Sequence, residues 1–380
     1  MQLRHFEAFA PVCPVCLRAG RTPLPLVLAH VAARTEAAII AGTLHCPGCQ
    51  HEYPVLDGVP VIVPELATLL AERGLELLLR DDLDPLLESL FGDAVGPDSW
   101  LDAIRQMQST YGWDSYADLD PAEPVPDTEG PQPGAARRCL ARLLELTRLL
   151  ELASAADGVQ RVLDLGCAAG RTSFDLAARH PGGLVLGIDM QLGLLRLARR
   201  AAGGEVSYPR RRIGLVYDRR RFPVALHEAA PPGSCSPDFW ACDARALPFA
   251  PGAADLCVAL NLLDCVPDPR QLLESLARVT RPGGRILPAT PYDWSTRATP
   301  VTGWLGGHSQ RAPHNGAGEA FLHALLRDAV PPHTAIPQHA AHAIAGLSCL
   351  AEQASWPWHT RLHDRSAVQY RTHLLALHRQ

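Results

Sequence analysis

The chain has 380 residues, 47% hydrophobic and 20% charged, enough for two or three domains of which one buries a substantial interior. A formal net charge of -5 gives no general attraction to phosphate backbones, so nucleic-acid binding starts at a disadvantage. All 35 of the Lys+Arg residues are arginine, which excludes lysine-based Schiff-base and amine-nucleophile chemistry and with it pyridoxal-phosphate catalysis.

The opening MQLRHFEAFAPVCPVC has none of the long apolar core of a secretory signal, and no stretch reaches the roughly 18 uninterrupted apolar residues of a spanning helix. A soluble, cytoplasmic protein with no membrane partner is expected, since the 11 cysteines show no disulfide-like framework. Cys13 and Cys16 in CPVC and Cys46 and Cys49 in CPGC offer four thiolates. Four soft sulfurs suit a tetrahedral zinc ion with no open position, hence a structural site. The segment between the pairs exceeds the ~15–20 residues usual for the motif and predicts an extended hairpin over 24–41. YPVLDGVPVIVPE (53–65) reads as a strand, an Asp-Gly turn and a second strand ended by proline.

On the two cysteine pairs and the YPVLDGVPV strand, residues 8–66 resemble the small zinc-ribbon family whose best-known member is the activator subunit of tRNA, rRNA and release-factor methyltransferases. The resemblance implies a ribbon that stabilises a catalytic partner by adding its exposed strand to the partner's sheet. With a catalytic pattern downstream in the same chain, docking in cis is expected.

Residues 67–110 carry leucines at helical spacing and predict a connecting helical layer. Tyr111, Trp113 and Tyr116 follow, either capping a cofactor cleft or packing against the next domain. The acidic, proline-rich 121–134 cannot hold a regular element and reads as a linker or mobile lid. The expected division is 1–66, 67–134 and 135–380.

An amphipathic helix from Ala135 to Ser154 precedes a βαβ pattern: RVLDLGCAAG (161–170) breaks from a buried strand into a glycine turn, RTSFDLAARH is its helix, and GLVLGIDM (183–190) ends in an acid. Gly166 and Gly170 let the backbone turn tightly against a ligand, flanked by Asp164 and Cys167. Asp189, followed by Met190, can accept both ribose hydroxyls of a nucleoside. The spacing Asp164-x-Gly166-x-x-x-Gly170 departs from the G-x-G-x-x-G of dinucleotide dehydrogenases. DFWACDARALPF predicts a strand ending at Asp243, where Asp243 and the Ala244 amide can read an adenine edge, and a further strand ends at Asn261. RPGGRILPAT (281–290) places Pro-Gly-Gly ahead of a fifth strand.

Together these elements resemble the class I S-adenosylmethionine-dependent methyltransferases, which implies an α/β fold with a doubly wound, seven-stranded, Rossmann-like sheet. LSCLAEQ and SAVQYRTHLLALH suit the sixth strand and an antiparallel seventh. A sulfonium donor is already activated, so such an enzyme has to hold the methyl group in line with an acceptor and exclude water, with no nucleophilic side chain of its own.

On DLGCAAGRTSF, SYPRRRIGLVY, NLLDCVPDP, TPYDW with WLGG, and PWHTRLHDRSAVQYRTHLLALHR, residues 161–379 also resemble the methyltransferase domain at the carboxyl end of ovothiol-forming enzymes, which methylates an imidazole nitrogen of mercaptohistidine. The match implies Asn261 and Asp264 beside the donor, Asp264 and Tyr292 orienting the acceptor and receiving its proton, and Trp294 and Trp304 lining the acceptor pocket. Tyr208 and Tyr217 of the insertion join the expected substrate contacts. The iron-dependent sulfoxide synthase part of those enzymes has no counterpart in this chain, so the match implies a small-molecule nitrogen acceptor without fixing it as mercaptohistidine. Asp264 reads equally as the N-cap of the following helix, a role Asp268 fills at least as well.

Arg210 to Arg212 and Arg219 to Arg221 carry the competing reading, an RNA or protein methyltransferase in which an extended hairpin presents alternate arginines in a row. Asp218 interrupts that row, and one arginine suffices to hold the carboxylate of an amino-acid-like acceptor. Ala168, where many relatives carry glycine, leaves open a cofactor-binding scaffold that activates another methyltransferase. His308, His314, His323, His333, His339 and His342 fit no ligand spacing, and no catalytic metal is expected.

Overall fold

A computed structural model of the chain describes residues 1–65, 69, 96–124, 130–148, 159–226, 233, 235–326 and 343–380. The leucine-rich helix expected over 67–110 lies outside these residues up to position 95, apart from Leu69.

The chain opens with two short helices, α1 (Leu3–Phe9) and α2 (Pro14–Arg18), followed by strands β1 (Val27–Arg34), β2 (Ile39–His45), β3 (Glu52–Leu56) and β4 (Val59–Ile62). These strands pair antiparallel in sequence order. Asp57 and Gly58 between β3 and β4 both take positive φ, 51° and 74°, the two left-handed positions that a tight hairpin of this twist requires.

Helix α3 (Trp100–Tyr116) starts where the Ser99 side chain accepts the Asp102 N–H, and it runs through YGWDSY. Tyr111, Trp113 and Tyr116 therefore lie on this helix, which runs past the expected end at 110. The described ends of the proline-rich segment are tied down: Asp120 and Glu123 are ion-paired, and Asp114 accepts the first N–H groups of α4 (Ala135–Arg148) from Ala135 and Ala136.

Then follow β5 (Arg161–Leu165), α5 (Arg171–Arg179), β6 (Leu184–Asp189), α6 (Leu192–Ala202), the hairpin strands β7 (Glu205–Ile213) and β8 (Val216–Pro223), β9 (Asp238–Cys242), β10 (Ala254–Leu260), α7 (Pro269–Val279), β11 (Thr280–Thr290), α8 (Gly318–Leu326), β12 (Leu347–His363) and β13 (Ser366–Arg379). One sheet takes all the strands except β7 and β8, in the order β1-β2-β3-β4-β9-β6-β5-β10-β11-β13-β12.

The sheet has eleven strands in place of the seven expected, because β4 continues it. β4 runs parallel to β9, with Val61 opposite Ala241 and Ile62 opposite Cys242. Every residue of β9 is buried, so as an outer strand it would leave an apolar surface and a row of unpaired backbone groups; β4 covers both. Around this seam Gln2 donates its N–H to Asp238 at 2.7 Å, Val12 N–H bonds Pro248 O at 2.8 Å, and Phe9 packs on Trp240 and Phe249. At the opposite edge β13 lies antiparallel between β11 and β12, which sets Thr290 opposite His373.

Candidate active site

Parallel strands β6, β5 and β10 deliver their carboxyl ends to one rim, where ligands of open α/β sheets bind. The turn leaving β5 holds Gly166, Ala168 and Gly170 at φ of 69°, 48° and 83°. A side chain at Gly170 would stand 2.6 Å from the Phe239 ring and 2.7 Å from Ala198, so this glycine serves both conformation and packing. Ala168 takes its left-handed φ with a methyl group attached, a strain of roughly 1 kcal/mol. Its N–H donates to Asp189 Oδ2 at 2.9 Å, while Asp189 Oδ1 accepts the Gln191 N–H at 2.8 Å. Asp189 thus ties the tips of β5 and β6 together at the rim.

Asp164, expected at the cofactor, lies beneath the loop. Its Oδ2 accepts Thr172 and Ser173 hydroxyls at 2.7 and 2.6 Å, it is 1% exposed, and burial pushes its carboxyl up to about 6. It anchors the start of α5 to β5 and so shapes the loop without lining the cleft. Cys167 is likewise buried, its sulfur against Gly187. Met190 is half-buried and packs on the cluster around Phe239. Asp243 is engaged by Arg245, whose guanidinium lies 2.8 Å from Oδ2, and Ala244 is buried beside it.

At the end of β10, Asn261 adopts φ 48° and its buried Oδ1 meets no partner among the described residues. Asp264, 2% exposed in a short helical turn, accepts the Asp293 N–H on Oδ2 at 2.7 Å, and its Oδ1 is also unpartnered. Burial raises its carboxyl, the Asp293 carboxylate adding to the effect against the hydrogen bond from the Asp293 N–H. Asp268 caps α7 by accepting the Gln271 N–H, so Asp264 is free of that duty.

Facing this turn, Tyr292 takes φ 56°, and its hydroxyl lies 2.8 Å from His373 Nδ1. Its ring packs on Trp294, which stacks on Trp304 with centroids 6.5 Å apart. Trp304 Nε1 donates to Thr299 O, and Thr299 Oγ1 donates to the Asp264 and Val266 carbonyls, so the three aromatics and the Asp264 turn form one unit. Asn261, Asp264, Tyr292, Trp294 and Trp304 are brought together.

Sequence reasoning left two further contributors unassigned. Tyr116 donates its hydroxyl to Ala169 O on the glycine loop at 2.6 Å, and Tyr111, five residues earlier on α3 and 41% exposed, stands near the carboxylates of Asp189 and Asp264. Both were marked as aromatics near a cleft, but helical spacing from Tyr111 to Tyr116 was needed to aim them. His373 carried no sequence signal: the antiparallel insertion of β13 puts it opposite Thr290.

Two expected substrate contacts are corrected. Tyr208 is fully buried, its ring against Gly112 of α3, where a side chain would approach within 2.7 Å. Tyr217 donates its hydroxyl to Asp102 at 3.0 Å, with the Arg105 guanidinium 4.1 Å above its ring. Both bind the β7–β8 hairpin to α3. Two members of the arginine row are held in buried pairs: Arg210 with Glu123 and Asp364 at 2.7 Å each, and Arg220 with Asp120 at 2.6 Å.

At the other end of the chain Cys13, Cys16, Cys46 and Cys49 bring their sulfurs within 4.8 Å of one another, with Cys13 to Cys49 at 3.5 Å and Cys16 to Cys46 at 3.9 Å. None forms a disulfide, and the arrangement fits a four-coordinate metal. No helix among the described residues is long and apolar enough to cross a membrane.

The cleft also fits a methionyl nucleoside: a tight glycine turn, a carboxylate at the tip of the next strand, and a buried amide oxygen with no donor among the described residues. Residues 163–287 match the methyltransferase domain family. An uncharacterized methyltransferase of Mycobacterium marinum is 34% identical over 175 residues, 45% of this chain and 59% of that protein. A ubiquinone biosynthesis O-methyltransferase of Aeromonas salmonicida is 31% identical over 134 residues, 34% of this chain and 43% of that protein. A solved SAM-dependent methyltransferase from Methanosarcina mazei aligns at 20% identity and a TM-score of 0.37, over 59% of this chain and 94% of that one. The chain spans less than two thirds of the curated relatives it matches. Residues 163–287, with their loop, acid and strand order, are a class I S-adenosylmethionine-dependent methyltransferase domain.

Proposed function

We propose that this protein methylates a small molecule at nitrogen, an imidazole or an amine of amino-acid-like character. The observation that carries the reading is Asp264: a buried carboxylate with one unpartnered oxygen and no cation beside it among the described residues. Such a group is best complemented by an N–H donor, or by a nitrogen that becomes cationic as it is alkylated. Its burial favours an acceptor small enough to reach it, and the Tyr292, Trp294 and Trp304 rings offer faces on which a planar acceptor can lie.

S-adenosylmethionine, when bound, supplies a methyl group already activated by its sulfonium. Asp189 and the glycine turn 166–170 are assigned to its nucleoside, Asp243 and Ala244 to its adenine edge once Arg245 swings aside, and Asn261 to its methionyl end. Asp264 and Tyr292 orient the acceptor, and Asp264 receives the proton it sheds after attack. Residues 1–66 serve as a zinc-holding brace joined in cis through β4, 67–134 as a connection, and 135–380 as the catalytic unit.

The test is transfer from radiolabelled S-adenosylmethionine into a cell extract separated into small-molecule, RNA and protein fractions, with Asp189→Ala as control. Label is expected in the small-molecule fraction and absent with the variant. Label in RNA or protein would overturn the reading, and cofactor binding with no label anywhere would make the protein a scaffold. Pairing of Arg210 and Arg220 removes the support for a polyanionic substrate.

A further inference from the structure

We propose a second metal site, distinct from the four cysteines, in which Glu319, His323 and His373, bordered by Glu352, hold a divalent zinc-class cation behind Tyr292. Glu319 and His323 stand four residues apart on α8 and therefore on one face of it. Their ligand atoms and that of His373 on β13 lie within 4.8 Å of one another. Glu352 on β12 borders the group: its Oε2 is 2.6 Å from His323 Nε2 and 3.5 Å from His373 Nε2. The two imidazole rings meet nearly at right angles, 84°, with centroids 5.7 Å apart.

A hydrogen-bonded network accounts for His323 and Glu352 but not for His373. That ring is 1% exposed, and its Nε2, aimed at the cluster, has no hydrogen-bond partner. Its other nitrogen is engaged by the Tyr292 hydroxyl. A buried imidazole nitrogen left open beside a second imidazole and the Glu319 carboxylate is the donor set of a borderline cation; calcium and magnesium, which prefer all-oxygen cages, are disfavoured by the two nitrogens. Histidine spacing along the chain hides the site because its ligands come from α8 and β13, joined only by the β12–β13 hairpin and the packing of α8 on it.

The cation would act on the acceptor pocket through a proton position. Ligation at His373 Nε2 fixes the ring proton on Nδ1, which then donates to the Tyr292 oxygen and leaves the Tyr292 O–H to point into the pocket. His373 is thus a positioning residue for Tyr292.

The full chain, expressed in zinc-supplemented medium and desalted, is measured for bound zinc by mass spectrometry beside the His323→Ala/Glu319→Gln double variant, with thermal melting to confirm that both are folded. Loss of one zinc equivalent per chain in the variant is expected, whatever the cysteine site holds. An unchanged zinc content overturns the proposal. Cobalt substitution gives an independent readout: weak visible bands that persist in Cys13→Ser/Cys16→Ser and vanish in the double variant are expected, whereas a cobalt spectrum lost entirely with the cysteines excludes the site.

Discussion

The β7–β8 hairpin and the cleft at the end of β10 look equally functional in the sequence, one rich in arginine and the other in acids and aromatics. In the fold they are opposites. The hairpin's charges are matched: Arg210 faces Glu123 and Asp364, and Arg220 faces Asp120 and Glu123. The cleft's polar atoms are left incomplete, with Asn261 Oδ1 and Asp264 Oδ1 buried and unpartnered. A matched charge holds structure together, whereas a buried polar atom without a protein partner costs free energy that a ligand or a bound water can recover. The difference separates a brace from a binding site, and each side of it can be broken on its own.

The largest effect belongs to the brace. Arg210 and Glu123 are 9% and 7% exposed at their side chains, and Glu123 also accepts the Trp113 indole N–H. Arg210→Ala leaves Glu123 with the Trp113 indole and the more distant Arg220, at 3.6 Å, and is expected to cost about 3 kcal/mol of stability, read by denaturant unfolding, with the acceptor's KM unchanged in the folded fraction. A stable variant with a raised KM would instead return the hairpin to the substrate.

On the cleft side, Asp264→Asn keeps shape and removes charge. Methyl transfer is expected to fall about 10²–10³-fold with S-adenosylmethionine affinity preserved, a loss within the range of a positioned proton acceptor. Removing a buried anion that lacks a cation should leave the variant at least as stable as the parent. Unchanged turnover would assign Asp264 to holding the Asp293 turn alone.

Much of the catalytic half was legible because its signals are local. The glycine turn, the acid closing β6 and the Pro-Gly-Gly ahead of β11 each report on a few consecutive residues, and strand order follows from the βαβ repeat. What stayed hidden depends on long-range pairing. Nothing near Val59 announces that β4 will meet β9, and the His373 partnership with Tyr292 exists only because β13 enters antiparallel beside β11. The hairpin misled because arginine triplets advertise charge, while their acidic partners at 120, 123 and 364 lie in other segments.

Beneath the cleft, Asp164 sharpens the comparison through pH. Its carboxyl is raised from 3.8 to about 6 by burial, so the protonated form is favoured in the folded state. The stability this contributes is fully present below the unfolded value and is lost as pH rises through about 6. Relative to Asp164→Asn, the parent is expected to lose about 2–3 kcal/mol between pH 4 and 6, measured as the difference between two unfolding curves across that window. A flat difference would mean that the hydroxyls of Thr172 and Ser173 keep the carboxylate ionised throughout.

The smallest effect isolates one contact of the brace. Tyr217 bonds Asp102 through its hydroxyl and lies under Arg105 through its ring. Tyr217→Phe removes the first and keeps the second, and Asp102 retains the Asp98 N–H and the Gln106 amide as donors. Both retained donors reach Oδ2, so the buried Oδ1 loses the hydroxyl, and the cost should be about 2 kcal/mol, that of removing one partner from a buried acceptor. Tyr217→Ala adds the loss of the cation–ring contact and of apolar packing, and should cost about 2 kcal/mol more. Equal losses in the two variants would place the hairpin's hold on α3 in the hydroxyl alone, and a change in methyl transfer by Tyr217→Phe at unchanged stability would restore this tyrosine to the substrate path.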